Sequence, residues 1–128
     1  MIILDENFTR VEKFKLKKFK KSIKQIGFEI EKSGIKDNDI IPFLHKIKNP
    51  TFFTLDNDFF NTNLRHKGYS IVWLNVEINK IAEFAIKFLK HDSFNTISKR
   101  MGKIVQITTQ RVRYWELNSL NFKDIFWE

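Results

Sequence analysis

With 128 residues, the chain is long enough for one compact domain with its own core and too short for two. A composition of 42% hydrophobic and 30% charged residues excludes disordered and fibrous classes, and the lack of cysteine excludes disulfides and thiolate metal sites. The formal net charge of +8 favours polyanionic partners, because each Lys or Arg that neutralises a phosphate releases a condensed counterion.

Met1 to Leu4 is a short apolar run ended by Asp5 and reads as a buried strand. From Phe8 to Ile26 the apolar residues Phe8, Val11, Leu16, Phe19, Ile23 and Ile26 share one stripe at helical spacing, with Lys13, Lys17, Lys20, Lys21 and Lys24 opposite. Gly27 is expected to stop that helix as a C-cap, with a second strand over Phe28 to Glu31. Asp37 or Asp39 then opens a helix that runs to about Ile47 and ends at Asn49-Pro50. Thr51 to Leu55 reads as a buried strand stopped by Asp56-Asn57-Asp58, followed by a turn over Phe59 to Leu64 and a strand from Ser70 to Val76. Ile78 to Leu89 is an amphipathic helix with an extension or further turn as far as Ser98, and a last β region covers Ile104 to Thr108 and Val112 to Leu117. Leu120, Phe122, Ile125, Phe126 and Trp127 mark residues 118 to 128 as an apolar C-terminal tail that docks on its own domain or covers a partner.

Alternating strands and helices predict an α/β fold: a three-layer α/β/α sandwich around a mainly parallel sheet of four or five strands, one domain over residues 1 to 128. In such sheets ligands bind at the carboxyl ends of the strands. Asp5 and Asp56 therefore share one edge, with Asp58 and the pair Asp37/Asp39 near it. Several gathered carboxylates repel one another and raise one another's pKa unless a hard cation such as Mg²⁺ or Mn²⁺ joins them. The bland readings are helix capping for Asp37 or Asp39 and a plain turn for Asp56-Asn57-Asp58. Removal of these carboxylates is expected to raise stability in metal-free buffer.

The lysines of the first helix (Lys17, Lys20, Lys21, Lys24) could attract a phosphate backbone or form a solvated face, and Arg111 and Arg113 alternate on a strand toward phosphate or water. His45, His66 and His91 lack metal spacing, and Trp73 and Trp115 are expected in the core. With no leader segment and no apolar run near about 18 residues, the expected location is the cytoplasm, with no membrane partner.

Several of these motifs resemble one family. Ile3-Leu4-Asp5-Glu6-Asn7 looks like the LDEN opening of PIN-like domains, Thr54-Leu55-Asp56-Asn57-Asp58-Phe59 resembles their strand-ending T-x-D-x-D-F, and Asp37-Asn38-Asp39-Ile40-Ile41 is similar to the D-x-x-I-L that starts the intervening helix. Tyr69 to Asn75 matches the strand that follows, so the likeness covers residues 2 to 76 and continues loosely to Gln110-Arg111-Val112-Arg113. The resemblance implies a PIN-like fold, Mg²⁺- or Mn²⁺-dependent ribonuclease activity and the role of toxin in a VapBC-type toxin–antitoxin pair. Its catalytic acids would be Asp5, Asp37 and Asp56, with Asp58 as a further metal ligand and Asn7 and Asp39 in support. Its partners would be an RNA substrate, an acidic antitoxin and a second copy of the chain. One departure is that full PIN domains carry another acid on a helix, whereas Glu29 and Glu31 fall here in a strand-like stretch.

Two other readings use the same residues. A phosphoacceptor receiver domain also places acids after its first and third strands, but it needs a lysine after the last parallel strand, where this chain has Thr108-Thr109-Gln110. A non-catalytic PIN-like binding protein would keep nucleic-acid or partner binding without cleavage.

Overall fold

The computed structural model describes every residue except Lys32 and Glu128, so the last residue of the expected tail lies outside the described residues. Its elements are β1 (Ile2–Leu4), α1 (Arg10–Phe19), β2 (Lys24–Gln25), α2 (Asp37–His45), β3 (Thr51–Thr54), β4 (Ser70–Leu74), α3 (Ile81–Lys90), α4 (Ile97–Arg100), β5 (Ile104–Ile107), β6 (Arg111–Trp115) and β7 (Lys123–Phe126). They build one mixed α/β sheet of seven strands in the order β2-β1-β3-β4-β5-β6-β7. The first five are parallel; β6 and β7 add antiparallel.

Successive side chains of a strand point to opposite faces, and the apolar runs fill both. Ile2, Leu4, Phe53, Val72, Leu74, Val105 and Ile107 face one cluster, which Leu16 of α1 and Ile81, Ala82, Ala85 and Phe88 of α3 cover. Ile3, Phe52, Ile71 and Ile104 face the other, which Ile40 and Leu44 of α2 cover. A buried contact joins the two helices of the first face: Glu12 Oε1 accepts from Ala82 N at 3.0 Å, which caps the start of α3 from a neighbouring helix.

The structure corrects several expected boundaries. α1 starts at Arg10, two residues after the expected Phe8, with Thr9 Oγ1 accepting from Glu12 N at 3.2 Å, and it ends at Phe19 instead of Ile26. The open edge of β1 takes Lys24 and Gln25 into the sheet, with Ile3 opposite Lys24 and Leu4 opposite Gln25, so strand pairing overrides helical spacing there. Gly27 is consequently a turn residue (φ +87°) and not a helix cap, and no strand forms over 28 to 31. The last β region is a hairpin: β6 turns back on β5, with Thr108 N donating to Arg111 O at 2.9 Å.

The expected tail is also corrected, since its middle forms the edge strand β7. Arg113 and Asp124 are cross-strand neighbours, and Trp127 Nε1 donates to Thr108 O at 2.8 Å. These additions bring the sheet to seven strands instead of four or five. No helix among the described residues is long and apolar enough to cross a membrane.

Phe88 stacks on Phe94 at 4.6 Å and meets Phe53 edge-on at 6.1 Å, all three fully buried. Phe88→Ala should cost about 3–5 kcal/mol through the cavity it leaves. In urea unfolding the midpoint should fall at an unchanged slope; a loss below about 1 kcal/mol would show that this cluster closes over the gap.

Candidate metal centre

The strand order creates the crevice. α1 leaves β1 on one face, and the chain after β3 leaves on the other, where Phe59 joins the cluster under α2, so a crevice opens between the two connections. Ligands of open α/β sheets bind at such a switch point, outside the carboxyl ends of the strands. Asp5 follows β1, Asp56 follows β3 and Asp37 is the first residue of α2. All three come to that crevice.

Asp5 sits deepest, at 5% exposure. Its Oδ2 accepts from Thr54 Oγ1 and from Leu55 N, both at 2.8 Å, and its Oδ1 accepts from Asn7 N at 2.8 Å. Three of about four carboxylate acceptor positions are thus taken within the chain, and they tie the end of β1 to the end of β3. Burial raises the Asp5 pKa above the usual aspartate value; the three hydrogen bonds oppose that rise and the Asp56 charge adds to it. Thr54, which the sequence reading passed over, completes this anchor and also accepts from Asp56 N at 3.1 Å.

The carboxylates that converge are Asp37, Asp56 and Asp58, each with an oxygen within 4.8 Å of the others. Asp56 Oδ1 accepts from Asp58 N at 2.9 Å and folds 57 to 59 into a single 3₁₀ turn, so turn chemistry and acid clustering coexist here. Asp37 does not cap α2: the N-cap position is Lys36, without a side-chain hydrogen bond. Glu6 fixes where that helix begins, with Gly34 N donating to both of its carboxylate oxygens at 2.9 and 3.0 Å. Lost hydration raises the Asp37 pKa, as do a hydrogen bond with Asp56 and the charges of Asp56, Asp58 and Asp5.

Two hollows adjoin the acids. A small one of about 40 Å³ lies among Asp5, Asp37, Asp56, Asn7 and Thr54. A larger cleft of about 540 Å³ opens beside Asp56 between the ends of β3 and β4, walled by Asn57, Trp73, Asn75, Val76 and Ile78. Asn7 and Asp56 line both. None of the cleft's walls beyond β3 was legible as a site, because Trp73 and Ile78 read as core in a one-dimensional pattern.

The remaining expected residues lie elsewhere. Asp39 is exposed in the first turn of α2 and is not among the converging acids. Glu29 is engaged by Lys13 Nζ at 2.6 Å and by Gln25 N at 3.0 Å and is not among the converging acids. Lys17 lies in the last turn of α1 and Lys20 and Lys21 follow it; α1 runs back from the carboxyl edge, so they lie at the amino edge, and Lys24 is on the outermost parallel strand. Arg113 is held by Asp124 through two bonds of 2.8 and 3.1 Å, with Arg111 Nε 3.9 Å from the same carboxylate.

No family model, curated protein or solved structure matches the chain.

The two acids next to each other in the crevice should respond to substitution in opposite directions. Asp5→Ala strands the Leu55 and Asn7 amides and the Thr54 hydroxyl and should lose at least about 2 kcal/mol, against the sequence expectation of a gain. Asp37→Asn should stabilise the metal-free protein. A raised folded pKa makes a contribution that is present below the ordinary value of 3.8 and lost as the pH rises through the folded value, so the advantage of Asp37→Asn over wild type should open as the pH rises above 3.8. Denaturant unfolding in EDTA across that range measures both; an Asp5→Ala protein as stable as wild type would refute the anchor.

Proposed function

We propose that the chain is a PIN-like endoribonuclease, a three-layer α/β/α domain whose Asp37, Asp56 and Asp58 hold Mg²⁺ or Mn²⁺ and cut RNA phosphodiesters. The observation that carries this reading is the convergence of those three carboxylates at the switch point, beside a cleft large enough for a nucleotide. The donor set fits the ion: hard oxygen ligands suit Mg²⁺ and Mn²⁺, and the repulsion that adds to lost hydration in raising the Asp37 pKa is what a divalent charge relieves. When bound, such an ion lowers the pKa of water and stabilises charge on a phosphodiester.

The chain's own groups do the rest. Asp5 is a positioning residue that fixes the end of β3, and with it Asp56, through Thr54 and Leu55. The Asp56–Asp58 turn sets two ligands in a rigid relation. Asn7, Asn57 and Asn75 offer neutral hydrogen-bonding groups along the cleft without adding charge to a site already rich in acid. The basic balance of the chain suits an acidic antitoxin in the cytoplasm. The receiver reading is weaker, because Thr108 occupies the place where that chemistry needs a lysine and the reading gives Asp37 and Asp58 no role.

Purified protein with Mn²⁺ should cleave unstructured RNA, and EDTA should abolish the cleavage. Asp37→Asn and Asp56→Asn should each slow it by roughly 100-fold or more, beyond what outer-sphere changes cause at metal sites. Metal-independent cleavage, or full activity in both variants, would overturn the assignment. RNA binding with no cleavage under any divalent ion would favour the non-catalytic reading.

A further inference from the structure

Beyond α2, one face of the sheet is covered only by residues 57 to 65, whose Phe60 packs on Trp73 at 5.7 Å and whose Arg65 lies over Trp115, and β7 on that face is left open. The cluster under α2 ends at Ile104, and no residue of β6 or β7 belongs to it. On the opposite face the same strands are covered, with Val112, Tyr114, Ile125 and Trp127 packed into the cluster of Phe84, Phe88 and Phe94. Register defines what the first face displays. Trp73 lies beside Gln106, Gln106 beside Arg113, and Arg113 beside Asp124; one step nearer the carboxyl edge Arg111 lies beside Phe126. Phe122 sits under this row, 3.9 Å from the Arg113 guanidinium and 5.8 Å from the Trp115 ring.

Three features of this face point to a ligand. Its aromatics are open to solvent, Phe126 at 62% and Phe122 at 44% exposure, and Trp73 and Trp115 are half-buried and belong to neither apolar cluster. Its charge is positive among the described residues, since Arg111 and Arg113 face the carboxylate of Asp124 and Arg65 lies over Trp115 at 5.8 Å; among those residues no hydrogen-bond acceptor meets the buried Arg111 Nε. It is also continuous with the cleft, because Trp73 belongs to both. Rings that stack bases, interleaved with guanidinium groups that meet phosphates, are how sheets bind single strands without sequence choice.

We infer that the β4–β7 part of this face, carrying Trp73, Gln106, Arg111, Arg113, Phe122 and Phe126, binds single-stranded nucleic acid and leads it into the cleft at Asp56. The delivery to Asp56 rests on the ribonuclease reading; the binding does not. Duplex is disfavoured, since its stacked bases cannot reach Phe122 and Phe126.

The test is fluorescence anisotropy of a labelled single-stranded RNA of roughly 12 nucleotides, in EDTA so that nothing is cut. Phe122→Ala and Phe126→Ala remove exposed rings, and each should weaken binding about tenfold while the melting temperature stays close to that of wild type. Arg111→Gln should weaken binding and reduce the slope of log K against log salt by about 0.7. Lys46→Gln with Lys48→Gln, which removes charge from the amino edge, should change affinity less than twofold, and the same RNA as a duplex should bind at least tenfold more weakly. Equal losses from the lysine variant, indifference to both phenylalanines, or equal binding of duplex would overturn the inference. So would a concentration-dependent dimer in sedimentation that Phe126→Ala abolishes while RNA binding stays unchanged. Binding without cleavage in Mn²⁺ would sink the ribonuclease reading and leave this one standing, whereas cleavage unaffected by the ring variants would do the reverse.

Discussion

The parallel pairing of β1 with β3 is the constraint on which the rest of this molecule depends. Ile2, Ile3 and Leu4 lie opposite Thr51, Phe52 and Phe53, and the pair is buried on both faces. Two strands so placed, with connections leaving on opposite faces, open a crevice between those connections outside their carboxyl ends. The gap needs polar chemistry, because the last backbone amides there have no strand partner in reach. Asp5 supplies it with one carboxylate that takes the Leu55 and Asn7 amides and the Thr54 hydroxyl. The same clamp brings Asp56 to the crevice and fixes its turn.

That solution leaves a surplus of negative charge. Asp37, Asp56 and Asp58 meet at one point with Asp5 behind them, and lost hydration together with these neighbouring carboxylates raises the Asp37 pKa. Positive charge is abundant in the chain, but among the described residues no basic one lines either hollow beside the acids. Lys17 and Lys18 end α1 and Lys87 and Lys90 end α3, where cations complement the negative ends of the helices. Net basicity is thus partly a matter of helix ends at the amino edge and says less about the acidic edge than the overall charge suggests.

The β6–β7 hairpin changes the character of the sheet. It extends β5 antiparallel, buries Val112 and docks Ile125 and Trp127 against the α3 side. Its other side has no helix to pack on, and arginine, aspartate and aromatic side chains occupy it in place of aliphatic ones. The Arg113–Asp124 pair and the Arg113–Phe122 stack hold that surface in a fixed geometry. An acidic crevice and a basic aromatic surface therefore meet along β4, at Trp73.

Local pattern was enough for much of this protein. Short apolar runs ended by aspartate located β1 and β3, the apolar spacing of 81 to 89 located α3, and the alternation of strand and helix predicted a mainly parallel sheet with Asp5 and Asp56 on one edge. These features are legible because period and burial are written along the chain. What required tertiary structure were the choices between equal local options. Lys24 and Gln25 fit a helix stripe and also fit the free edge of β1, and only the presence of that edge selected a strand. Residues 123 to 126 read as an apolar tail until β6 offered them a partner. Asp5, Asp37, Asp56 and Asp58 look alike in sequence. Their division into one buried acceptor of three hydrogen bonds and three carboxylates that converge depends on which amides and hydroxyls the fold brings within about 3 Å of each, a distance no local pattern encodes.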